Sequence, residues 1–152
     1  MAIKEELNTF FVKVFYTILD AEEKHLDKIT KGKVTLKEIH LIEAVFLLRE
    51  TKTNTFSSIA KKLNITLGTL TTGFSKLEAK GYLTKTRDPR DKRVYYIEPT
   101  DLATVVNKDH TEFHNELIAG VTHTLNEKEQ EDLLVALKKL TVFFNSFYEL
   151  QG

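Results

Sequence analysis

The hydrophobic period of this chain changes at Gly81, and that change limits the folds open to it. Before Gly81, apolar residues recur at helical spacing: Ile59, Ala60 and Leu63, then Leu67, Leu70, Phe74 and Leu77. After it, residues 82–86 and 94–97 are β-rich runs around the charged turn 87–93, which contains Pro89 and reads as a hairpin. Thr55 and Thr66 stand where they can cap the two helical stretches. Asn64 falls at the turn between them, where a left-handed backbone is tolerated, and Gly81 takes the C′ position after the second. Two short capped helices joined by a tight turn and followed directly by a hairpin have the spacing of a winged helix-turn-helix.

The rest of the chain reads as helix. Ile3, Leu7, Phe10, Phe11, Val14, Phe15 and Ile18 form one apolar stripe, ending near the polar stretch 22–33. Thr35 and Glu38 have capping-box spacing and open a helix carrying Ile39, Ile42, Val45, Phe46 and Leu47. Pro99 and Thr100 start a long helix expected to end near Gly120, and the spacing of Asn126 and Glu129 caps the last one. The expected fold is mainly α with a small β-hairpin wing, an α+β winged helix-turn-helix.

Net charge is zero, with 22 basic and 22 acidic residues, which by itself argues against nucleic acid. The distribution reverses that inference. Residues 55–98 hold nine Lys and Arg against four Asp and Glu, and the remainder holds 13 against 18. The chain has no cysteine, so thiolate metal sites and cysteine nucleophiles are excluded, and a reducing cytoplasm is the expected location. Neither a signal peptide nor the roughly 20-residue apolar run of a membrane span is evident. A phosphate-binding glycine loop, a nucleophile elbow and an acid–base pair are all missing, so no catalytic residue and no cofactor is assigned.

The second short helix is weakly favoured by propensity, because its first turns carry threonines and glycines. In a helix-turn-helix these residues face base edges in the major groove. Gly68 permits close approach, and Thr66, Thr69, Thr71 and Thr72 offer hydroxyls to phosphates or bases and methyls to thymine. Lys76 and Lys80 lie further along, where phosphates are reached. The first two turns hold no Asn, Gln or Arg, so specificity must lean on methyl contacts and DNA shape. At the hairpin tip, Arg90, Lys92 and Arg93 stand beside Asp88 and Asp91. An arginine there can enter a narrow A·T-rich minor groove while a carboxylate holds its guanidinium fork.

Residues 55–100, and "KLEAKGYL" and "DPRDKR" above all, resemble the MarR family of winged-helix repressors, with the match extending over essentially the whole chain. "LKEIH", "TLGTLTT" and "HTEFH" resemble the branch that represses bacterial fatty-acid synthesis genes. The resemblance implies a single domain over 1–152, with a DNA-binding lobe at 35–100 and dimerisation helices at 1–25 and 101–150. It implies DNA contacts from Thr66, Leu67, Gly68, Thr69, Thr71, Thr72, Lys76, Arg87, Arg90, Asp91, Lys92 and Arg93, with Arg93 in the minor groove. It further implies a homodimer on a palindromic operator and an effector that is an acyl group on acyl carrier protein or another apolar small molecule. Phe10, Phe11, Val14, Leu137, Leu140, Phe143, Phe144 and Phe147, with Tyr148, are the expected dimer contacts. Two recognition helices would then sit about 34 Å apart.

Phe15, Ile18, His40, Leu41, Phe113 and His114 are candidates for lining the effector pocket or for ordinary core. His110 and His114 have the i, i+4 spacing of a chelating pair, which His40 and Glu22 could complete. Packing or hydrogen bonding is the favoured role for these histidines, and no metal is assigned. The alternatives are a zinc-responsive repressor of the same family and a winged-helix protein-interaction module that does not touch DNA.

Overall fold

Three threonines start three consecutive helices by the same device. Thr35, Thr55 and Thr66 have extended backbones, and each side-chain oxygen accepts from the amide three residues on, of Glu38, Ser58 and Thr69. At Thr35 the Glu38 carboxylate also accepts from the Thr35 amide, completing the capping box that the spacing predicts. In this computed structural model the backbone is described for residues 2–151 and side chains for residues 2–147.

The elements are α1 (Ala2–Thr30), α2 (Leu36–Glu50), α3 (Phe56–Leu63), α4 (Leu67–Ala79), β1 (Leu83–Arg87), β2 (Tyr95–Pro99), α5 (Asp101–Thr124) and α6 (Glu127–Gln151). They fall into two units, residues 1–113 and 114–152. In the first, Ile39, Ile42 and Val45 of α2 meet Ile59 of α3 and Leu70 and Leu77 of α4 in one fully buried core. Leu83 and Ile97 root the hairpin in the same core. The two strands pair antiparallel from Leu83 opposite Pro99 to Arg87 opposite Tyr95.

The turn between α3 and α4 has the predicted chemistry. Asn64 adopts φ 55°, ψ 45°, and its amide bonds back to the carbonyls of Ala60 and Lys61. Gly81, at φ 84°, ends α4 and turns the chain into β1. Gly73 lets α4 pack closely on α2, since a Cβ there would lie 3.2 Å from Leu41 Cδ1 and the leucine would have to shift by a few tenths of an ångström. Lys80, expected where phosphates are reached, also braces the fold. Its Nζ lies 2.7 Å from the Lys33 carbonyl and 3.0 and 2.9 Å from the two Glu38 oxygens, which ties the end of α4 to the start of α2.

Two helices outrun their expected ends. α1 continues through the polar stretch to Thr30, because Glu22, Leu26 and Thr30 share a buried stripe within it. α5 continues past Gly120 to Thr124, since a single glycine costs a helix only about 1 kcal/mol. In the second unit, Asn126 and Glu129 cap each other reciprocally at 2.9 Å, as their spacing predicts. Gln130 Nε2 closes the corner on the carbonyls of Thr122 and Leu125 at 3.0 and 2.8 Å.

Asn64→Ala should lower unfolding stability by about 1 kcal/mol, whereas Asn64→Gly should be near neutral, because only the alanine pays for a left-handed backbone. Urea denaturation read by circular dichroism measures both.

Candidate nucleic-acid interface

α4 is held by one face and left open on the other. Leu70, Phe74 and Leu77 are buried, while Leu67, Gly68, Thr69, Thr71, Thr72 and Lys76 are exposed or, for Leu67, about half exposed. The threonines support the helix they weaken by propensity. The Thr66 hydroxyl caps it and donates to Thr69 Oγ1 at 2.9 Å. Thr71 and Thr72 donate back to the carbonyls of Leu67 and Gly68 at 2.8 and 3.1 Å. With these three protons engaged, the outer face presents methyl groups, acceptor lone pairs and the Thr69 hydroxyl proton. A Cβ on Gly68 would meet no described residue within 4 Å beyond its own helix backbone, so no packing contact calls for glycine there.

The wing tip is built by carboxylates. Asp88 Oδ1 accepts from the amides of Arg90 and Asp91 at 2.7 and 3.0 Å, and Oδ2 accepts from the Tyr96 hydroxyl at 2.9 Å. Asp91 accepts from the Arg93 amide at 3.0 Å and from Arg93 Nε and Nη2 at 3.1 and 3.2 Å, the two-pronged grip that the spacing suggests. The Arg93 side chain is nonetheless 91% exposed. The Asp91 and Arg90 amides and the Tyr96 hydroxyl hold the Asp88 carboxyl below the usual range. Arg93 does the same for Asp91 through its side chain and its amide. Arg90 and Lys92 are exposed at the tip. Arg87 serves the wing's own fold, with Nε donating to the Lys92 carbonyl at 2.7 Å and its guanidinium 5.4 Å from the Tyr95 ring centre.

Between α4 and the wing runs a groove lined by Ser57, Leu67, Thr71, Lys85, Arg93 and Tyr95, with a volume near 390 Å³. The sequence analysis did not assign Lys85 or Tyr95 to it. Lys85 Nζ lies 5.1 Å from the Tyr95 ring centre. The available signal was strand alternation, because Leu83, Lys85 and Arg87 share a face and Leu83 is core.

A second polar cluster lies within the first unit. Glu22 Oε1 is 3.3 Å from both His40 Nε2 and His110 Nε2, and Glu43 Oε1 is 2.7 Å from His110 Nε2. Glu22 and His110 are buried, and the ligand atoms of Glu22, His40 and His110 all lie within 4.8 Å of one another. Glu43 was not singled out by sequence. His114 stands one turn further along α5, in the second unit. Among the candidate pocket residues, Leu41 is core, Phe15 and Ile18 are exposed on α1, and Phe113 stacks on His25 at 4.7 Å. His40 and Leu41 also line a cleft of about 620 Å³ between α2 and α4, with Lys37, Leu63, Ile65 and Lys76. On α1, Phe10, Phe11 and Val14 are exposed. On α6, Leu137, Phe143, Phe144 and Phe147 are exposed and Leu140 is half-buried, whereas the Tyr148 side chain lies outside the described residues.

A capped helix with a small polar outer face, beside a hairpin that carries an anchored arginine, defines a winged helix-turn-helix DNA-binding protein. Residues 37–95 match the model of the MarR family, and the chain belongs to that family of DNA-binding transcriptional regulators. It is 30% identical over 111 residues to the transcriptional regulator AdcR of Streptococcus pneumoniae, spanning 71% of this chain and 72% of that one. With the Streptococcus pyogenes AdcR the identity is 29% over 89% of this chain and 90% of the relative. Among solved structures, Streptococcus pneumoniae FabT in complex with DNA superposes with a TM-score of 0.85 at 26% identity, covering 95% of this chain and 99% of that one. The Staphylococcus aureus MepR–DNA complex shares the fold, with a TM-score of 0.73 at 19% identity over 90% and 96% of the two chains. No helix among the described residues is long and apolar enough to cross a membrane.

Both wing carboxylates favour the built tip in their ionised form. That contribution is full above the ordinary carboxylate pKa and is lost as pH falls through the lower, folded values. Carboxyl-carbon NMR should therefore give Asp88 and Asp91 titration midpoints below that of an exposed aspartate. The amide shifts of Arg90, Asp91 and Arg93 should move with the same midpoints.

Proposed function

We propose that this protein is a repressor that binds a palindromic, A·T-rich operator as a homodimer, with α4 in the major groove and Arg93 in the minor groove. The observation that carries this reading is the exposed Arg93 guanidinium held by Asp91 at the tip of a wing beside an uncluttered α4. The homodimer is supported by the exposed apolar faces of α1 and α6, which hold more large side chains than single helices keep in water. Membership of the family favours DNA over a protein partner. The likeness to FabT in complex with DNA supports DNA binding. The resemblance of "LKEIH", "TLGTLTT" and "HTEFH" to the fatty-acid-synthesis repressor branch is what supports control of those genes, with acyl groups on acyl carrier protein as effector. The cleft beside Leu41, Leu63 and Ile65 offers an acyl chain an apolar floor.

An A·T-rich duplex should be retarded in a gel at about 50 mM salt, with affinity falling steeply towards 200 mM as phosphate contacts are lost. Arg93→Ala should weaken operator binding about ten- to a hundredfold and leave the oligomer intact. Unchanged affinity in the folded variant would remove the minor-groove role.

A second reading rests on the Glu22–His40–His110 cluster, with zinc as the effector. Zn²⁺ with ligands at 2.0–2.1 Å in a tetrahedron needs ligand atoms about 3.3 Å apart, and both Glu22–histidine distances are 3.3 Å. Two imidazoles and a carboxylate are a donor set that zinc accepts. Glu43, at 2.7 Å from His110 Nε2, has the distance of a hydrogen-bond acceptor, so it would have to yield when that nitrogen takes a metal. Calorimetry with Zn²⁺ on chelator-treated protein decides between them. Saturable binding below micromolar that is lost in His40→Ala supports the metal effector, and its absence in the wild type ends that reading.

A further inference from the structure

We propose that Tyr96 is a positioning residue for DNA binding, linking the helix-turn-helix to the wing tip and setting through Asp88 and Asp91 where the Arg93 guanidinium stands. The inference rests on the minor-groove role proposed for Arg93. The chain of contacts begins at the backbone, where Tyr96 forms an antiparallel bridge with Thr55, the N-cap of α3. In the hairpin the same residue pairs with Thr86. Tyr96 is therefore fixed both to the helical lobe and to the wing.

Its hydroxyl reaches past the last ladder pair, Arg87 opposite Tyr95, into the turn. There it donates to Asp88 Oδ2 at 2.9 Å, while Asp88 Oδ1 is filled by the amides of Arg90 and Asp91. The Asp91 backbone is held in turn by its carbonyl, which accepts from the Val94 amide at 3.0 Å. From that fixed backbone the Asp91 carboxylate grips Arg93 at Nε and Nη2. Arg87 braces the other flank of the turn through the Lys92 carbonyl. With the hydroxyl removed, Asp88 keeps its two amide donors and its own amide's bond to the Val94 carbonyl at 2.9 Å. Its carboxylate loses the side-chain tie to β2, so the carboxylate and the Arg90 and Asp91 amides it holds are freer to shift.

The chemistry of the pair suits this task. The Asp88 carboxyl is held below the usual range, and the Tyr96 phenol is pushed above its ordinary value by that carboxylate. Near neutrality the phenol is the donor and the carboxylate the acceptor, the charge-assisted form of the bond. An arginine that must find a narrow groove gains affinity when its carrier is ordered beforehand, because less conformational entropy is lost on binding. An exposed turn with a single-residue offset would aim Arg93 elsewhere, so an anchor to the helical lobe has a direct use.

The test is a double-mutant cycle of Tyr96→Phe with Arg93→Ala, read as DNA affinity near 50 mM salt, where phosphate contacts still hold the complex. Tyr96→Phe keeps the ring and the ladder, so oligomeric state should not change and melting temperature should fall by no more than about a few degrees. Affinity should fall about three- to tenfold in the wild-type background. In the Arg93→Ala background the further loss should stay within about 1.5-fold. The ¹⁵N order parameter of the Arg93 side chain should also drop in Tyr96→Phe. Equal losses in both backgrounds would overturn the inference, since Tyr96 would then act on the wing generally. Weakened binding by Arg93→Ala with none by Tyr96→Phe would overturn it alone. Full binding by Arg93→Ala would overturn the minor-groove reading and this inference together.

Discussion

The lobe depends on one constraint: α4 must stay folded while presenting a face with nothing large on it. Three buried residues one and two turns apart, Leu70, Phe74 and Leu77, carry its attachment. Burying each contributes about 1.5–3 kcal/mol, which outweighs the few tenths per residue lost to threonine and glycine propensity. The threonines then recover part of that loss locally, by capping at Thr66 and by back-bonding at Thr71 and Thr72. Gly73 brings α4 against Leu41 of α2, and Lys80 ties its last turn to Glu38. The helix is thus stabilised almost wholly from behind and from its ends, which frees its front.

Glu38 shows how closely the lobe is coupled. One carboxylate closes the capping box of α2 and receives the Lys80 ammonium from α4. The start of one helix and the end of another are therefore set by the same group. The sequence discloses the first role, because Thr-x-x-Glu has a fixed spacing. It cannot disclose the second, because Lys80 and Glu38 are 42 residues apart and a solvated lysine on a basic segment reads equally well as a phosphate ligand.

The same division runs through the site. Local chemistry was legible: the caps, the left-handed Asn64, the turn at Gly81, and the Asp91–Arg93 grip all follow from neighbours within a few residues. Contacts that need the fold were not. Tyr96 looks like one more β-former until the hairpin register places its hydroxyl on Asp88. Glu43 looks like a solvated helix residue until α5 brings His110 to it. The polar stretch after residue 22 looks like a helix end, yet Glu22 is buried because His40 and His110 face it. Hydrophobic patterning misplaces α1's end there because the buried stripe includes a carboxylate.

Zero net charge is compatible with a DNA-binding lobe because electrostatics in salt water is local. At about 0.1 M salt, fields from exposed charges fade over roughly 10 Å, so a distant acidic segment does little to cancel a basic one. The relevant count is the nine Lys and Arg against four Asp and Glu in residues 55–98, not the total of 22 and 22. Even this block is not all available to phosphate. Lys80 is committed to Glu38, Arg87 to the wing backbone and Arg93 to Asp91. Nor are the last two idle charges: a guanidinium with some donors engaged keeps others to offer, in a direction its partner has fixed. The cost is fewer mobile cations for non-specific attraction, and the gain is that the charge which remains is aimed. With α4 lacking long polar readers, aim rather than total charge is what can separate one DNA shape from another.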